Sequence, residues 1–387
     1  MLLARRNFRK NKKIYKLAVK RKHRKTLRKN FYDKEVSQEQ KILFEYGKKK
    51  RKIVKKLHKR KYKGYGEVVI EGEFGIEVED FQKYFLEIAS KCIELKNARF
   101  VIDIQKCSKI WPSGVTFLCS IRQWGEIGKK FHYHTPTIDI RSNNLNKDVR
   151  SYLSFCGFDK YVEIEGKPEF PHDEEYESRI VKLEREKKTN SAKWMEKVED
   201  IRNLVAKFTD LTEDEIDLFD NIILQETYSN VTEHGMSYKD DGWWMLCQYH
   251  KRHKFISLCM ADNGIGFKKT LLNGPQSGGF SENDGEGDFI KKSLESNISG
   301  AYDADIKRGI IKGKYPVGDR RGQGLNKIRQ RCKELGISFS ILSHRGYLFV
   351  DKEGEIRKYG SETYRIFGGT MYNYIIPAGG KDADGKD

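Results

Sequence analysis

The stretch Glu226-Thr-Tyr-Ser-Asn230-Val-Thr-Glu-His234-Gly235 decides the fold, and it forms the end of a predicted helix. We expect the helix to begin at Thr212, with Glu215 three residues later to complete a capping box, and to end at Gly235. At 100° per residue, one narrow sector presents a carboxylate, an amide and an imidazole to a common space: Glu226, Asn230, Glu233 and His234.

The polar sector suits metal and proton chemistry. The side-chain carbonyl of Asn230 can be the single protein ligand of a magnesium ion that phosphates and water otherwise hold. A carboxylate one turn earlier, Glu226, can orient and deprotonate a water or a substrate hydroxyl. Taken alone, however, the helix fits an ordinary solvent-facing surface better than a site.

A second motif, Asp262-Asn-Gly264-Ile-Gly266, follows a hairpin predicted from Trp243 to Ala261. Asp262 at the strand end can accept the amino hydrogen of adenine, and Gly264 and Gly266 let the backbone turn and approach a base closely. Within the hairpin, His250 and His253 have metal-like spacing. Because they flank a turn and have no third ligand, we expect both to be solvated hairpin residues.

Two later motifs complete the pattern. Gly322-Gln-Gly324 precedes an amphipathic helix that ends at Gly336, so backbone amides at the helix start can bind phosphates. Arg321 either adds positive charge near a γ-phosphate or is a solvent residue of a mobile loop. Thr370 opens the last predicted strand, where it can reach adenine or its ordered water.

Together these motifs resemble the GHKL ATPase family, which includes gyrase, histidine kinases, MutL and the anti-sigma-factor kinases. The Glu-xxx-Asn-xxx-His-Gly form is most similar to the anti-sigma kinases. For residues 201–378 the resemblance implies an α/β sandwich (Bergerat type) with a mixed sheet, ATP as ligand, magnesium at Asn230 and Glu226 as general base. It also implies that the nucleotide contacts come from the motif residues: Asn230, His234, Gly235, Asp262, Gly264, Gly266, Arg321, Gly322, Gly324 and Thr370.

The sequence departs from compact family members in the predicted ATP lid, residues 267–322. This segment holds an acidic glycine-rich loop and a helix predicted from Phe289 to Asn297. A connection of this length is typical of a functional lid or a partner surface. Asn326 stands where many kinases have a third glycine.

Residues 64–165 predict a small α/β domain, with strands near Val68, Phe100 and Thr137 separated by helical patterns. The order of elements resembles the STAS family, the domain type of anti-anti-sigma factors. The serine that is most often phosphorylated in that family aligns with Pro112, which argues against a phospho-switch there. We expect the neighbouring Ser113 to be a helix N-cap.

The remaining segments are charged. Residues 1–63 hold 27 of the 75 Lys and Arg residues but 4 of the 56 Asp and Glu residues, so the rest of the chain has 48 basic and 52 acidic residues. We interpret 1–63 as a basic arm, helical or disordered, which either is simply solvated or contacts a nucleic-acid backbone. Residues 166–200 are interpreted as a charged linker leading into a helix, and 379–387 as a tail.

Cysteine use and hydropathy indicate the cellular compartment that we expect for the protein. The seven cysteines are scattered without a CxxC pair, which favours buried thiols over a metal or disulfide framework. No apolar run approaches the roughly 18 residues of a spanning helix. We therefore expect a cytoplasmic protein without a membrane partner.

These motifs favour an α/β signalling or switch protein that uses ATP and magnesium, as an ATPase or a protein Ser/Thr kinase. Its STAS-like domain and lid are expected to bind a protein partner or a second copy of the chain. One alternative is a dimeric ATP-gated clamp that grips nucleic acid through residues 1–63. Another is a nucleotide-dependent scaffold without turnover.

Overall fold

The computed structural model describes residues 65–77, 81–94, 99–130, 136–165, 178–186, 191–234, 242–264, 266–272, 281, 283–294, 324–344, 346–360 and 369–379. Residues 64–387 cluster as one unit. The predictions for the basic arm and for the tail beyond Gly379 lie outside the described residues. In the part of the chain that is described, no helix is both long and apolar enough to cross a bilayer.

Residues 65–165 form an α/β layer, here called the N-terminal layer. Its elements are β1 (Tyr65–Val69), β2 (Gly72–Phe74), α1 (Phe81–Glu94), β3 (Arg99–Asp103), β4 (Cys107–Ile110), α2 (Pro112–Lys130), β5 (Thr137–Arg141) and α3 (Lys147–Phe155). Strands β1, β3 and β5 form a parallel sheet in the order β1-β3-β5, and β2 pairs with β4. Helices lie between the parallel strands, as crossover connections require. The three predicted strands and their alternation with helices are confirmed.

The rest of the chain builds a seven-stranded sheet with helices against it. Its elements are β6 (Ile180–Glu186), α4 (Ser191–Phe208), α5 (Glu213–Leu218), α6 (Gln225–His234), β7 (Trp243–His250), β8 (Phe255–Asp262), α7 (Gly266–Leu272), α8 (Glu286–Ser293), α9 (Gly324–Glu334), β9 (Ser338–Ser343), β10 (Gly346–Val350), β11 (Ile356–Gly360) and β12 (Thr370–Pro377). The strand order is β11-β10-β9-β12-β8-β7-β6.

Every neighbouring pair in the seven-stranded sheet is antiparallel. The prediction of a mixed sheet is therefore wrong for this sheet, and the parallel pairs belong to the N-terminal layer. Short turns join β7 to β8 and β9 to β10, and such connections can join only antiparallel neighbours. The predicted hairpin around residues 251–253 is confirmed as β7 and β8.

Both faces of the seven-stranded sheet are covered. Alternate residues of β7, such as Trp244 and Leu246, share a core with the N-terminal layer. Their neighbours Trp243 and Met245 point to the opposite face and share a core with the flanking helices. Every residue of β7 is consequently buried, which explains why its first five residues are all apolar.

The helix predicted from Thr212 to His234 is present, but it is not regular. The capping box is confirmed, because the Thr212 amide donates to Glu215 and the Glu215 amide donates to the Thr212 hydroxyl. Between α5 and α6 the chain makes a π-helical segment, Phe219–Leu224. Such segments widen a helix locally and often mark functional sites. This one ends at Leu224, two residues before Glu226.

Two predictions about the segments that flank the sheet need correction. Within the predicted linker 166–200, residues 180–186 form β6, the edge strand beside β7. The lid helix is α8, residues 286–293, and its N-cap is Gly285, whose amide donates to Asp288. It begins earlier than predicted because the cap lies inside the acidic glycine-rich loop.

Ser113 is not a helix N-cap. Helix α2 begins at Pro112, a favourable first residue because proline has no N–H to satisfy. The Ser113 hydroxyl accepts the Ile76 amide at 2.8 Å and donates to the Glu77 carboxylate. Glu77 also accepts the Ser257 hydroxyl from β8 at 2.9 Å, so Ser113 helps to join the N-terminal layer to the sheet.

The seven cysteines are all buried and free, as predicted: Cys92, Cys107, Cys119, Cys156, Cys247, Cys259 and Cys332. Burial raises the pKa of each thiol; for Cys107 and Cys156 it reaches about 12. The thiols thus stay protonated and act as small apolar side chains.

Candidate functional site

Helix α6 carries Glu226 and Asn230 one turn apart. Thr227 between them fixes the helix to the sheet, since its hydroxyl donates to the Ile223 carbonyl and lies 2.6 Å from the Tyr374 hydroxyl on β12. The Asn230 Nδ2 atom is enclosed by protein and has no hydrogen-bond partner among the described residues. The polar face of α6 is therefore held firmly while one of its amide groups remains unsatisfied.

Gly324, the first residue of α9, meets this face. A Cβ atom at Gly324 would lie 2.8 Å from Glu226 Oε2 and 4.0 Å from Asn230 Oδ1. A side chain at position 324 would displace the carboxylate end of Glu226, so glycine lets this carboxylate lie against the start of α9. Three residues predicted to act together, from two distant motifs, thus lie in one place.

Lys327, one turn into α9, also belongs to this cluster, although it was not among the predicted site residues. Its ammonium group lies 3.4 Å from Glu226 Oε1. The signal in the sequence was its spacing: a residue three positions after Gly324 lies on the same side of the helix. The cluster of Glu226, Asn230, Gly324 and Lys327 is called the α6–α9 cluster below.

Asp262 ends β8, and its side chain organises the turn that follows. The residue is 4% exposed, and Oδ1 accepts the amides of Gly264 at 2.7 Å and Thr370 at 3.2 Å. The second bond ties the loop to the first residue of β12. Three of the predicted adenine-binding residues are thereby joined directly.

Two glycines allow very close approaches around this loop. Gly369 has φ +107°, and a Cβ atom there would lie 1.9 Å from the Asp262 carbonyl oxygen. Gly266 has φ +72°, and its Cβ would lie 2.1 Å from Nε2 of His344. Neither position accepts a side chain without movement of its neighbours, so the loop is packed tightly on both sides.

Glu286 on α8 is a buried acid that was not predicted to belong to the site. It is 5% exposed, and Oε1 accepts the Lys268 amide at 3.0 Å and the Ser343 hydroxyl at 2.9 Å. The Thr370 hydroxyl in turn lies 3.4 Å from Ser343 Oγ. Hydrogen bonds therefore connect Asp262 to Lys268, at the two ends of the loop, through Thr370, Ser343 and Glu286.

Part of the predicted lid is thus fixed to the sheet. Helix α8 packs against β9 and β10, and α7 packs against α8. Phe289 and Ile290 of α8 are fully buried. These residues are integral parts of the fold rather than a loose cover.

Several predicted residues cannot be placed. Gly235, Arg321 and Gly322 lie outside the described residues, as does the side chain of His234. The described site therefore consists of two groups, the α6–α9 cluster and the Asp262 loop with Gly264, Gly266 and Thr370. Helix α6 packs against β8, the strand that leads into that loop.

The α6–α9 cluster fits a phosphate-bound metal ion. It offers an amide, a carboxylate and the backbone amides at the start of an eleven-residue helix, with no side chain at Gly324 to block them. The unsatisfied Nδ2 of Asn230 supports the phosphate part of this fit, because a buried donor normally has an acceptor and a phosphate oxygen would supply one.

His250 contradicts the prediction of a solvated hairpin residue. It is 9% exposed, and its ring lies 4.9 Å from Trp111 and 4.8 Å from Phe255. Burial lowers its pKa to about 3. His253 is exposed, as expected. Among the residues that are described, no group of three His, Cys, Asp or Glu side chains could hold a metal.

Comparison of the whole chain with protein-family models and with curated proteins gives no match.

Proposed function

We propose that this chain is an ATP-binding switch protein that uses magnesium and acts on the γ-phosphate, as an ATPase or as a protein Ser/Thr kinase. The observation that carries the proposal is the convergence of Glu226, Asn230 and Gly324. These residues were expected to act together from their chemistry, and they come from motifs almost 100 positions apart.

In the proposed site, the α6–α9 cluster takes the phosphates. Asn230 would hold the magnesium ion through its side-chain carbonyl, and the backbone amides at Gly324 would bind phosphate oxygens. Magnesium supplies charge neutralisation on the phosphates when it is bound. Lys327 adds a positive charge beside Glu226.

Glu226 is the proposed general base. Its carboxylate would accept the proton of the attacking oxygen, from water in an ATPase or from a protein hydroxyl in a kinase. The new bond forms between that oxygen and the γ-phosphorus, and the bond from phosphorus to the ADP oxygen breaks. Both reactions need the same base, so the arrangement of Glu226 is compatible with either.

The Asp262 loop is the proposed adenine site. Oδ1 of Asp262 is occupied by two backbone amides, which fix the carboxylate in one orientation. A carboxylate oriented in this way can accept the exocyclic amino hydrogen of adenine, a group that guanine lacks at that position. Thr370 is linked to the same carboxylate through its own amide, which supports its proposed role at the base.

The N-terminal layer is the proposed docking element for a protein partner or a second copy. It lies on the seven-stranded sheet, with α2 packed against β7 and β8. A partner bound to the layer would therefore act on an element in direct contact with the strand that ends at Asp262.

The test compares wild type with Glu226→Ala and Asn230→Ala, using γ-labelled ATP with and without magnesium. Free labelled phosphate identifies an ATPase, and label on protein identifies a kinase. We expect Glu226→Ala to bind ATP but to lose turnover by at least about 100-fold. Asn230→Ala should lose the magnesium dependence of binding.

Gln225→Ala is the matched control, because Gln225 lies on the same helix with an exposed side chain. It should keep both binding and turnover. Equal turnover in wild type and Glu226→Ala would refute the role of Glu226 as base. Failure of the wild type to bind ATP would refute the proposed function as a whole.

A further inference from the structure

Helix α2 of the N-terminal layer is fixed on the sheet close to the Asp262 loop. It packs against β7 and β8, the two strands of the hairpin that leads into the loop. Gln123 of α2 accepts the indole N–H of Trp244 on β7. The Tyr161 ring packs edge-on against the same indole, with the ring centroids 4.8 Å apart. The backbone carbonyl of Tyr161 accepts a hydrogen bond of 2.6 Å from the Arg122 guanidinium on α2. Helix α2 thus has a defined position relative to the sheet.

Ser120 is the residue through which α2 reaches the loop. It is 2% exposed, and its hydroxyl lies 3.0 Å from Oδ1 of Asn263 and 3.5 Å from the carbonyl oxygen of Asp262. A hydroxyl has one hydrogen to donate, so the shorter contact to Asn263 is the principal bond. Asn263 itself is 2% exposed, which makes this a bond between two buried groups.

The opposite side of the loop leaves no free space. A Cβ atom at Gly369 would lie 1.9 Å from the Asp262 carbonyl oxygen and 2.8 Å from the Cα atom of Asn263. The backbone of these two residues therefore lies between α2 and the start of β12. Any displacement of α2 toward or away from the sheet changes the space available to Asp262.

We infer that Ser120 is a positioning residue for Asp262, through which the N-terminal layer sets how tightly the adenine base is held. The inference rests on the proposed function, in which Asp262 recognises the base. Loss of the Ser120 hydroxyl leaves Asn263 Oδ1 buried without its donor, and an unsatisfied buried acceptor is costly. The loop can relieve that cost by moving into the space that the Ser120 hydroxyl leaves, since β12 blocks the other side, and such a shift changes the position of the Asp262 carboxylate.

The experiment measures magnesium-dependent binding of two ligands, a non-hydrolysable ATP analogue and inorganic tripolyphosphate. Tripolyphosphate has the phosphates but no base. We expect Ser120→Ala to weaken binding of the ATP analogue about three- to thirty-fold, the range for one buried hydrogen bond. Binding of tripolyphosphate should stay within about twofold of wild type, because the α6–α9 cluster is untouched.

Ser151→Ala is the matched control. Ser151 is a buried serine of the same layer, on α3, and its hydroxyl has no hydrogen-bond partner among the described residues. Both ligands should bind Ser151→Ala as they bind wild type. Asn263→Ala removes the acceptor of the same hydrogen bond, so it should weaken binding of the ATP analogue by about as much as Ser120→Ala does. The double variant should be no weaker than Asn263→Ala alone, because both changes remove one interaction.

Several results would overturn the inference while leaving the proposed function intact. They are unchanged affinity of Ser120→Ala for the ATP analogue, an equal loss for both ligands, and a loss in Ser151→Ala as large as in Ser120→Ala. Additive losses in the double variant would also contradict it. If the wild type binds tripolyphosphate but not the ATP analogue, or neither ligand, the proposed function fails and the inference fails with it.

Discussion

The carboxylate of Glu226 and the ammonium group of Lys327 lie 3.4 Å apart, between helices α6 and α9. Their side chains are 30% and 37% exposed, so solvent screens the pair, and it stabilises the fold by at most about 1 kcal/mol. Its position matters more than its energy. Lys327 lies one turn from Gly324, so an anion bound at the start of α9 would attract the same ammonium group.

Replacing Lys327 should therefore affect nucleotide binding more than stability. For Lys327→Ala we expect ATP affinity to fall about tenfold, because one cation beside the phosphates is lost, while the free energy of unfolding changes by less than about 1 kcal/mol. Titration calorimetry and urea unfolding measure the two quantities. Lys333→Ala, an exposed change on the same helix, is the control. If both variants bind ATP equally well, Lys327 has no phosphate contact.

A comparison of Gly266 with Gly336 distinguishes the cost of a left-handed backbone conformation from the cost of close packing. Their φ angles are similar, +72° and +65°, but a Cβ at Gly266 would lie 2.1 Å from His344, whereas nothing lies within 4 Å at Gly336. Gly336→Ala should cost about 1 kcal/mol, for the left-handed conformation alone. Gly266→Ala should cost more than about 2 kcal/mol, since His344 or the loop must also move.

Urea unfolding of the two glycine variants measures the difference. Equal losses of stability would show that His344 or the loop can move aside without a cost in free energy. Gly266 would then be needed only for its left-handed backbone conformation. We also expect Gly266→Ala to weaken binding of the ATP analogue, while Gly336→Ala leaves it unchanged, because only Gly266 adjoins the Asp262 loop.

Local signals in the sequence were sufficient for much of the fold. The capping box at Thr212 and Glu215 depends on residues three positions apart, and the hairpin of β7 and β8 depends on one short turn. The meeting of Glu226, Asn230 and Gly324 is a long-range contact, yet it was expected because the motifs, in this order, resemble those of one nucleotide-binding family.

Contacts between layers could not be predicted in this way. The sequence of strand β6 is Ile-Val-Lys-Leu-Glu-Arg-Glu. Because its second half is charged and partly exposed, it resembles the charged segment around it and was not predicted as an edge strand. The burial of His250 depends on Trp111, a residue far away in the chain that reaches it only when the N-terminal layer packs on the sheet. Glu286 likewise becomes part of the site only because α8 packs on β9 and β10.

The burial of His250 predicts a specific dependence of stability on pH. Burial is the main cause that lowers its pKa to about 3, and the nearby charges of Lys109 and His253 lower it further. In the unfolded chain, the pKa is close to the ordinary 6.5. As the pH falls below about 6.5, the unfolded chain binds a proton that the folded protein does not, so stability is lost between about pH 6.5 and pH 3.

His250→Gln removes this titration and should flatten the pH dependence. Between pH 7.5 and pH 5.5, the free energy of unfolding of the wild type should fall relative to His250→Gln by about 1.4 kcal/mol. Urea unfolding at both pH values measures the change. His253→Gln is the control: this side chain is exposed on the same turn, so its replacement should alter the pH dependence much less. A constant difference between wild type and His250→Gln across this range would mean that His250 takes up its proton in the folded protein as readily as in the unfolded chain.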